Sequence, residues 1–260
     1  METDKPKITI FADIDDTCVQ GYIKPGSMRI NPEPLDMMVV RAYAKEGFID
    51  DSYVAKTIGL YKKMMRGKIS IGAATKEFYP MMTEAKAGKP YADAVDIIKR
   101  KVTPHLMLYP RVDYMMGAIR KNPDKISFCP VTFNWKETIE AIHERLPFEM
   151  SGVYNEQLVD ESGRFVGGKF VREVTADKTI PFDEHVGRNH VQMKYTIGLG
   201  DSLLQDGWVT KTRFSHLFNA SKAALVKQVT GRESLIDPAD FREAFDMELQ
   251  TLLGELNGVA

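Results

Sequence analysis

Two short apolar runs that each lead into acidic residues constrain the fold of this chain more than any other feature. The first run, residues 8–12 (Ile-Thr-Ile-Phe-Ala), leads into residues 13–17 (Asp-Ile-Asp-Asp-Thr). The second run, residues 195–199 (Tyr-Thr-Ile-Gly-Leu), leads into Gly200 and Asp201. Such runs are typical of parallel strands that are buried on both faces, and open α/β sheets bind ligands at the carboxyl ends of these strands. The runs therefore predict an α/β fold with a ligand site at one edge of a parallel sheet.

A helical block separates the first run from the rest of the chain. Residues 34–107 carry helical patterns and no convincing strand. Helices are predicted at 51–66, at 70–86 with a kink or break at Pro80, and at 90–101, from apolar spacing and from Gly, Ser and Pro at their ends. We interpret the block as a helical module inserted after the first strand. The alternative is that its helices pack on the main sheet.

The remaining sequence alternates between strand and helix patterns, which favours a doubly wound, mainly parallel sheet. A turn at 160–163 separates two further short strands. The other predicted strands are 125–129, 195–199 and 214–218, and the predicted helices are 110–121, 135–146, 221–228 and 239–253.

The charge balance argues against two classes of partner. Lys and Arg number 35 and Asp and Glu 36, which gives a formal net charge of −1, whereas broad binding to nucleic acids or anionic membranes needs an excess of cations. Cys18 and Cys129 are far apart and form no CxxC pair, which favours a reduced, cytoplasmic setting. The first apolar run is too short, and too acidic at its end, for a signal peptide or a membrane anchor.

The acidic residues after the two runs indicate the chemistry. Asp13, Asp15 and Asp16 would crowd like charges at one strand end, which is unfavourable unless a cation or a proton compensates. Asp201 and Asp206 would form a matching cluster after the second run. Oxygen ligands without a nearby His or Cys suit Mg²⁺ rather than Zn²⁺. Beside such an ion one carboxylate can attack a phosphoryl group, and a second can give and then take a proton.

Residues 11–17 (Phe-Ala-Asp-Ile-Asp-Asp-Thr) resemble the DxDx[TV] motif of the haloacid dehalogenase superfamily. The resemblance implies that Asp13 is a nucleophile that becomes phosphorylated. It implies that Asp15 is the general acid and base, with its backbone carbonyl on the metal. The implied activity is Mg²⁺-dependent hydrolysis of a small phosphorylated metabolite through an aspartyl-phosphate intermediate, on a Rossmann-like core.

Residues 197–206 resemble the late acidic motif of the same superfamily. This resemblance places Asp201 on the metal and Asp206 among the metal ligands or directly behind them. The spacing from Asp201 to Asp206 is one residue longer than the common form of the motif.

A Ser or Thr that hydrogen-bonds the transferring phosphoryl oxygens completes the second motif of the superfamily. Thr132 fits this role, because it lies just beyond the strand predicted at 125–129. Ser127 is the alternative, but it lies inside that strand. Pro130 is expected to end regular strand pairing before Thr132.

The superfamily also uses a lysine that offsets the charge of the nucleophile and the phosphate. Lys178 fits this role because it precedes Asp201 by 23 positions, a separation similar to that in phosphoserine phosphatases. It can stand at the start of a helix, since a proline is tolerated in a first helical turn. Lys169 and Lys194 are the alternatives.

The resemblance covers nearly the whole chain and is greatest to the phosphoserine-phosphatase-like subgroup, which carries a helical cap between its first two motifs. It implies a core domain from residues 1–18 and 108–260 and a helical cap domain from residues 19–107. The substrate would enter between the two, and the cap would close to exclude water.

Two cap positions bear on the substrate. Phosphoserine phosphatases carry a Glu nine residues after the nucleophile and an Arg further along, where this chain has Tyr22 and Lys76. We therefore expect poor turnover of phosphoserine and better turnover of phosphorylated hydroxy-acids or sugar acids, with Lys76 facing the leaving group. The alternative is that Lys76 lies on the outside of a cap helix.

Three alternative functions are left open by the sequence, as is the oligomeric state. A phosphotransferase would use the same residues and pass the phosphoryl group to an alcohol. A haloacid dehalogenase also uses an Asp nucleophile, but it needs neither Mg²⁺ nor a second acid, so that Asp15 counts against it. A catalytically silent phosphate-binding module is disfavoured because all the expected acids are present.

Overall fold

The central feature of the fold is a mainly parallel sheet. The structure is a computed structural model that describes residues 7–20, 34–147, 149–174, 177–201, 205–218 and 241–258. The strands among these residues are β1 (Ile8–Ala12), β2 (Val19–Gln20), β3 (Met107–Leu108), β4 (Ile126–Trp135), β5 (Val153–Val159), β6 (Phe165–Arg172), β7 (Thr196–Gly200) and β8 (Phe214–Leu217). Six of these described strands form one sheet in the order β6-β5-β4-β1-β7-β8. All neighbours in it are parallel except β5 and β6, which form an antiparallel pair.

Helices surround this sheet and form most of the segment between β2 and β3. The α-helices of the described residues are α1 (Leu35–Lys45), α2 (Asp51–Met65), α3 (Ile71–Lys86), α4 (Tyr91–Lys101), α5 (Pro110–Lys121), α6 (Lys136–Ile142), α7 (Thr179–Arg188) and α8 (Phe241–Leu256). None of the helices in the described part of the chain combines the length and the apolar character needed to cross a membrane.

Both faces of the sheet are covered, as the side chains of β1 show. Ile8 and Ile10 belong to a large apolar cluster that includes residues of α1, α5 and α8. Phe11 points to the opposite face, where its ring centroid lies 4.9 Å from that of Phe182 in α7 and 6.4 Å from that of Trp208. Because alternate residues of a strand face opposite sides, burial of all five residues of β1 requires cover on both faces. The predicted doubly wound α/β sheet is confirmed.

The helical segment leaves and rejoins the core at one place. Val19 pairs with Leu108 and Gln20 with Met107 in the antiparallel β2–β3 ribbon, which lies at the domain boundaries expected from the sequence. The helices between these strands share one continuous apolar cluster with the sheet. Contacts join α3 to β6 and α4 to α6. The inserted segment is therefore helical, as predicted, and it also packs on the core along one side.

Strand β4 is longer than predicted. The sequence predicted a strand at 125–129 that ends before Thr132, and this boundary is wrong. β4 pairs with β1 as far as Pro130 and with β5 from Val131 onward. The strand continues because it acquires a second neighbour where its pairing with the first one ends.

Two predicted helices differ in smaller ways. α3 is not broken at Pro80, which lies on its exposed side. α6 begins at Lys136 rather than at residue 135, because Trp135 still belongs to β4, and it ends at Ile142. The helix predicted at 221–228 and the first residues of the helix predicted at 239–253 lie outside the described residues.

Candidate active site

Asp13 lies at the carboxyl end of the central strand β1. Its backbone N–H donates to the carbonyl of Leu199 in β7 at 2.9 Å, and 4% of its surface is exposed. Since β1 and β7 are parallel neighbours, the segments that follow them meet at the same edge of the sheet. The topology thus brings together the two acidic motifs that the sequence singles out.

A buried lysine joins these motifs. Lys178 precedes the first residue of α7, and its Nζ lies 2.7 Å from Asp13 Oδ1 and 2.8 Å from Asp206 Oδ1. The same ammonium lies 4.5 Å from the centroid of the Phe133 ring. Burial opposes its charge, but Asp13 and Asp206 raise the pKa of Lys178 above its ordinary value. The lysine is therefore held as a cation against the predicted nucleophile.

The alternative lysines do not share this position. Lys169 in β6 and Lys194 before β7 are both exposed. Lys178, in contrast, has no exposed side-chain surface. The geometry therefore favours Lys178, rather than Lys169 or Lys194, as the lysine that offsets the charge of the nucleophile and the phosphate.

Asp201 and Asp206 complete a cluster of carboxylates around Asp13. One carboxylate oxygen of each of the three residues lies within 4.8 Å of the others. Asp206 is fully buried, and its Oδ2 accepts from the backbone N–H of Asp201 at 3.2 Å while its Oδ1 accepts from Trp208 Nε1 at 3.2 Å. Both oxygens of Asp206 are thereby fixed, despite the longer spacing of the motif.

This cluster fits a divalent cation. Three carboxylates and the ammonium of Lys178 sum to a charge of −2 when all are ionised. Burial raises the pKa of Asp13 to about 8, with Lys178 opposing the shift, and burial together with the charge of Asp13 raises the pKa of Asp201 to about 8. A divalent cation among the three carboxylates would favour their ionised forms, and an all-oxygen donor set suits Mg²⁺.

Asp15 is held from two sides. Its Oδ1 accepts from the backbone N–H of Leu35, the first residue of α1, at 3.1 Å. Its Oδ2 accepts from Asn134 Nδ2 at 2.6 Å. Burial, followed by the negative charge of Asp36, raises the pKa of Asp15 to about 7. A carboxyl group with this pKa can both donate and accept a proton near neutral pH.

Asn134 links Asp15 to the predicted phosphate-binding residue. Thr132 is fully buried, and its Oγ1 accepts from the backbone N–H of Asn134 at 3.2 Å and from its Nδ2 at 3.0 Å. Ser127 lies further back in β4 and donates to Thr9 Oγ1 at 3.3 Å. The geometry therefore favours Thr132 over Ser127. Sequence analysis missed Asn134, although its spacing of two from Thr132 places both on one face of a strand.

A cavity of about 190 Å³ opens beside Asp15, between the helical segment and the sheet. Most of its wall is apolar. The residues concerned are Leu60, Tyr61, Met64, Phe78, Tyr79 and Phe133. Asp36 of α1 also lines it. The cavity places room for the organic part of a ligand directly next to the carboxyl group with the raised pKa.

No protein-family model and no curated protein matches the chain by sequence. Solved structures match it over most of its length. A HAD-family hydrolase from Salmonella enterica subsp. enterica serovar Typhi aligns with a TM-score of 0.54 and 13% sequence identity. The alignment covers 85% of this chain and 66% of the hydrolase. This chain thus spans about two thirds of the length of that hydrolase.

Two further solved structures align with this chain over most of the length of both proteins. A substrate-bound phosphoserine phosphatase aligns at 15% identity over 94% of this chain and 99% of the phosphatase, with a TM-score of 0.55. Cytosolic 5′-nucleotidase IIIB bound to cytidine aligns at 14% identity over 96% and 88%, with a TM-score of 0.61. The chain has the haloacid dehalogenase fold. At the level of fold, these matches confirm the resemblance seen in the DxDx[TV] motif.

In this haloacid dehalogenase fold an arginine forms hydrogen bonds with the loop after Asp13. Arg111 Nε donates to the carbonyl of Thr17 and its second terminal nitrogen to the carbonyl of Asp16, both at 3.1 Å. Its guanidinium carbon lies 3.9 Å from the Tyr109 ring centroid and 3.8 Å from that of Phe218. Sequence analysis missed this contact, because Thr17 lies 94 positions earlier in the chain than Arg111.

Of the two cap positions predicted from the haloacid dehalogenase resemblance, Lys76 is described by the structure and is not brought to the site. Lys76 lies on α3 and is exposed, and it is not among the residues that line the cavity beside Asp15. The expectation that Lys76 faces the leaving group is therefore not supported, because the face of α3 that lines the cavity carries Ala74, Thr75 and Phe78. Tyr22 lies outside the described residues.

Proposed function

We propose that the protein is a Mg²⁺-dependent phosphohydrolase that cleaves a small phosphomonoester through a phosphorylated Asp13. The observation that carries this proposal is the buried contact between Lys178 and Asp13 at the point where Asp201 and Asp206 also converge. A lone strand-end carboxylate has many explanations. A carboxylate paired with a buried lysine, inside a cluster that fits a divalent cation and beside a cavity, is suited to phosphoryl transfer.

Side chains of Asp13, Asp201 and Asp206, together with the backbone carbonyl of Asp15, would hold the metal. Mg²⁺ bound there would offset the negative charge of the phosphoryl group and of the carboxylates around it. The same charge compensation would keep Asp13 ionised, which an attacking carboxylate requires.

The remaining steps follow from the positions of the other side chains. An oxygen of Asp13 forms a bond to phosphorus while the bond from phosphorus to the alcohol oxygen breaks. Asp15 delivers its proton to that departing oxygen and later takes one from the water that hydrolyses the phosphorylated Asp13. Lys178 and Thr132 hold the phosphoryl oxygens as their charge grows. Asn134 orients both Asp15 and Thr132.

The experiment that tests this proposal is turnover of 4-nitrophenyl phosphate by wild type and two variants. Asp13→Asn keeps the shape of the side chain and removes the attacking charge, so activity should fall to background. Asp16→Asn is the matched control, because Asp16 is exposed and has a φ of 58°, which Asn tolerates. It should retain activity within a few-fold of wild type.

The metal is tested with the same substrate. EDTA should abolish turnover and Mg²⁺ should restore it. Metal-independent hydrolysis, or an Asp13→Asn variant within about tenfold of wild type (about 1.4 kcal/mol in activation free energy), would refute the mechanism.

A further inference from the structure

The cavity beside Asp15 contains a second acidic side chain, Asp36, to which the proposed chemistry assigns no contact with the phosphoryl group or the metal. Asp36 lies in the first turn of α1, and its Oδ2 accepts a hydrogen bond from the Tyr61 hydroxyl at 3.0 Å. Both residues line the cavity. Among the described residues that line it there is no Lys, Arg or His. Any charge that this described part of the wall carries is therefore negative, and no cationic side chain within it offsets that charge.

The size of the cavity limits the organic group that it can accept. An engineered apolar cavity of about 150 Å³ accepts benzene, so that a cavity of about 190 Å³ has room for one ring with a short substituent. The aromatic side chains in the wall are Tyr61, Phe78, Tyr79 and Phe133. Such a wall favours a flat apolar group, because aromatic rings pack well in offset or edge-to-face contacts.

Electrostatics determines the charge that the group can carry. A carboxylate that enters beside Asp36 and Asp15 would meet two acidic groups in a poorly solvated space, which is unfavourable. A positively charged amine would pair with Asp36 and would lie against the faces of aromatic rings, and both contacts favour a cation. Burial raises the pKa of Asp36, with the hydrogen bond from Tyr61 opposing the shift, and a cationic neighbour would compensate its charge.

We propose that the alcohol released at this site is a compact aromatic alcohol that carries an ammonium group, and that Asp36 selects it by pairing with that group. This inference rests on the proposed function, since it names the substrate class of the same site. It reverses the preference for phosphorylated acids that the sequence suggested through Lys76, because the charge in the cavity wall is that of Asp36 and Lys76 lies outside.

Two aryl phosphates that share the same ring and two-carbon linker but carry opposite charges test the proposal. The substrates are 4-(2-aminoethyl)phenyl phosphate and 4-(2-carboxyethyl)phenyl phosphate, which leave the same kind of phenol oxygen beside Asp15. In wild type, kcat/KM for the amine should exceed that for the acid by at least about tenfold, given the strength of charge pairing in a partly desolvated site. A ratio near one, or a preference for the acid, would overturn the proposal.

Variants of Asp36 and Asp51, which each lie in the first turn of a helix, show whether Asp36 causes the preference for the amine. Asp36→Asn should bring the ratio of the two kcat/KM values close to one. Asp51→Asn is the control: Asp51 lies in the first turn of α2 and is exposed, so that the ratio should stay at the wild-type value. A ratio that is unchanged in Asp36→Asn would overturn the role of Asp36, even if the wild type prefers the amine.

Binding of the free alcohols separates this proposal from the proposed function. If wild type hydrolyses neither aryl phosphate nor 4-nitrophenyl phosphate with Mg²⁺ present, the phosphohydrolase proposal fails. Calorimetry then still decides the selectivity: 4-(2-aminoethyl)phenol should bind wild type at least about tenfold more tightly than 3-(4-hydroxyphenyl)propanoate, and Asp36→Asn should remove the difference. Equal binding of the two alcohols by wild type would overturn the inference whatever the outcome for catalysis.

Discussion

The buried ion pair between α3 and α6 gives a prediction whose size follows from the structure. Lys86 Nζ lies 2.5 Å from Glu137 Oε1, and both side chains are 1% exposed. The ammonium also lies 3.7 Å from the Trp135 ring centroid and 4.7 Å from that of Phe165. Burial lowers the pKa of Lys86, with Glu137 opposing the shift. The pair therefore depends on mutual compensation in a site that water does not reach.

Removing one partner leaves the other charge buried alone. Lys86→Met and Glu137→Leu should each lower the free energy of unfolding by about 3–5 kcal/mol. The double variant fills the same space with apolar groups and should recover most of this loss, since replacing both members of a buried pair is often neutral or stabilising. The interaction energy in the double-mutant cycle should be correspondingly large.

Urea denaturation, monitored by circular dichroism, gives the free energies of unfolding of wild type, the two single variants and the double variant. Single variants that each cost less than about 1 kcal/mol, with effects that add in the double variant, would show that the pair behaves like an exposed one and would contradict this prediction. A second readout concerns the site, because α3 carries Phe78 and Tyr79 into the cavity wall. The single variants should raise KM more than they lower kcat.

Three further predictions concern the acids and one histidine. Asp15→Asn should slow hydrolysis of an alkyl phosphate more than phosphorylation by an aryl phosphate, because an aryl oxide departs without a proton; equal losses in single-turnover assays would count against this role. Mg²⁺ at 100 times its Kd should stabilise wild type by about 2.7 kcal/mol, and Asp201→Asn should lose this gain in thermal denaturation. Burial, aided by Arg172, lowers the pKa of His185 to about 4. The folded state thus favours neutral His185, so its contribution to stability is present above the unfolded pKa of about 6.5 and is lost as pH falls towards about 4. His185→Gln should flatten this part of the stability profile, and an unchanged slope would contradict the assignment.

Local patterns were sufficient to predict several elements of this fold. The apolar run at β1 and the helix α5 have the predicted bounds, Ile8–Ala12 and Pro110–Lys121. In β1 every residue is apolar or β-branched, and α5 has proline at its first position, so that each element is specified by its own residues. The convergence of the acidic motifs was also predictable, because neighbouring parallel strands bring their carboxyl ends to the same edge of the sheet. This holds without knowledge of the side-chain packing.

Other parts of the site depend on tertiary neighbours that sequence patterns do not specify. Thr132 lies inside β4 because β5 pairs with the second half of that strand. Arg111 contacts Thr17, which lies 94 positions earlier in the chain. Asp36 reaches the cavity because α1 begins with its backbone directed at Asp15. In each case the residue type is unremarkable in its local segment, and its role follows from a partner that is distant in sequence.

Mass spectrometry can detect the proposed phosphorylation of Asp13 itself. Wild type and Asp16→Asn are mixed with a phosphomonoester and Mg²⁺, quenched in acid during turnover, digested and analysed by mass spectrometry. The peptide that contains Asp13 should gain the mass of one phosphoryl group in both proteins, and fragmentation should place it on Asp13. Asp13→Asn should give no such peptide. Turnover without a phosphorylated peptide, or a phosphoryl group on any other residue, would contradict the role of Asp13 as the nucleophile.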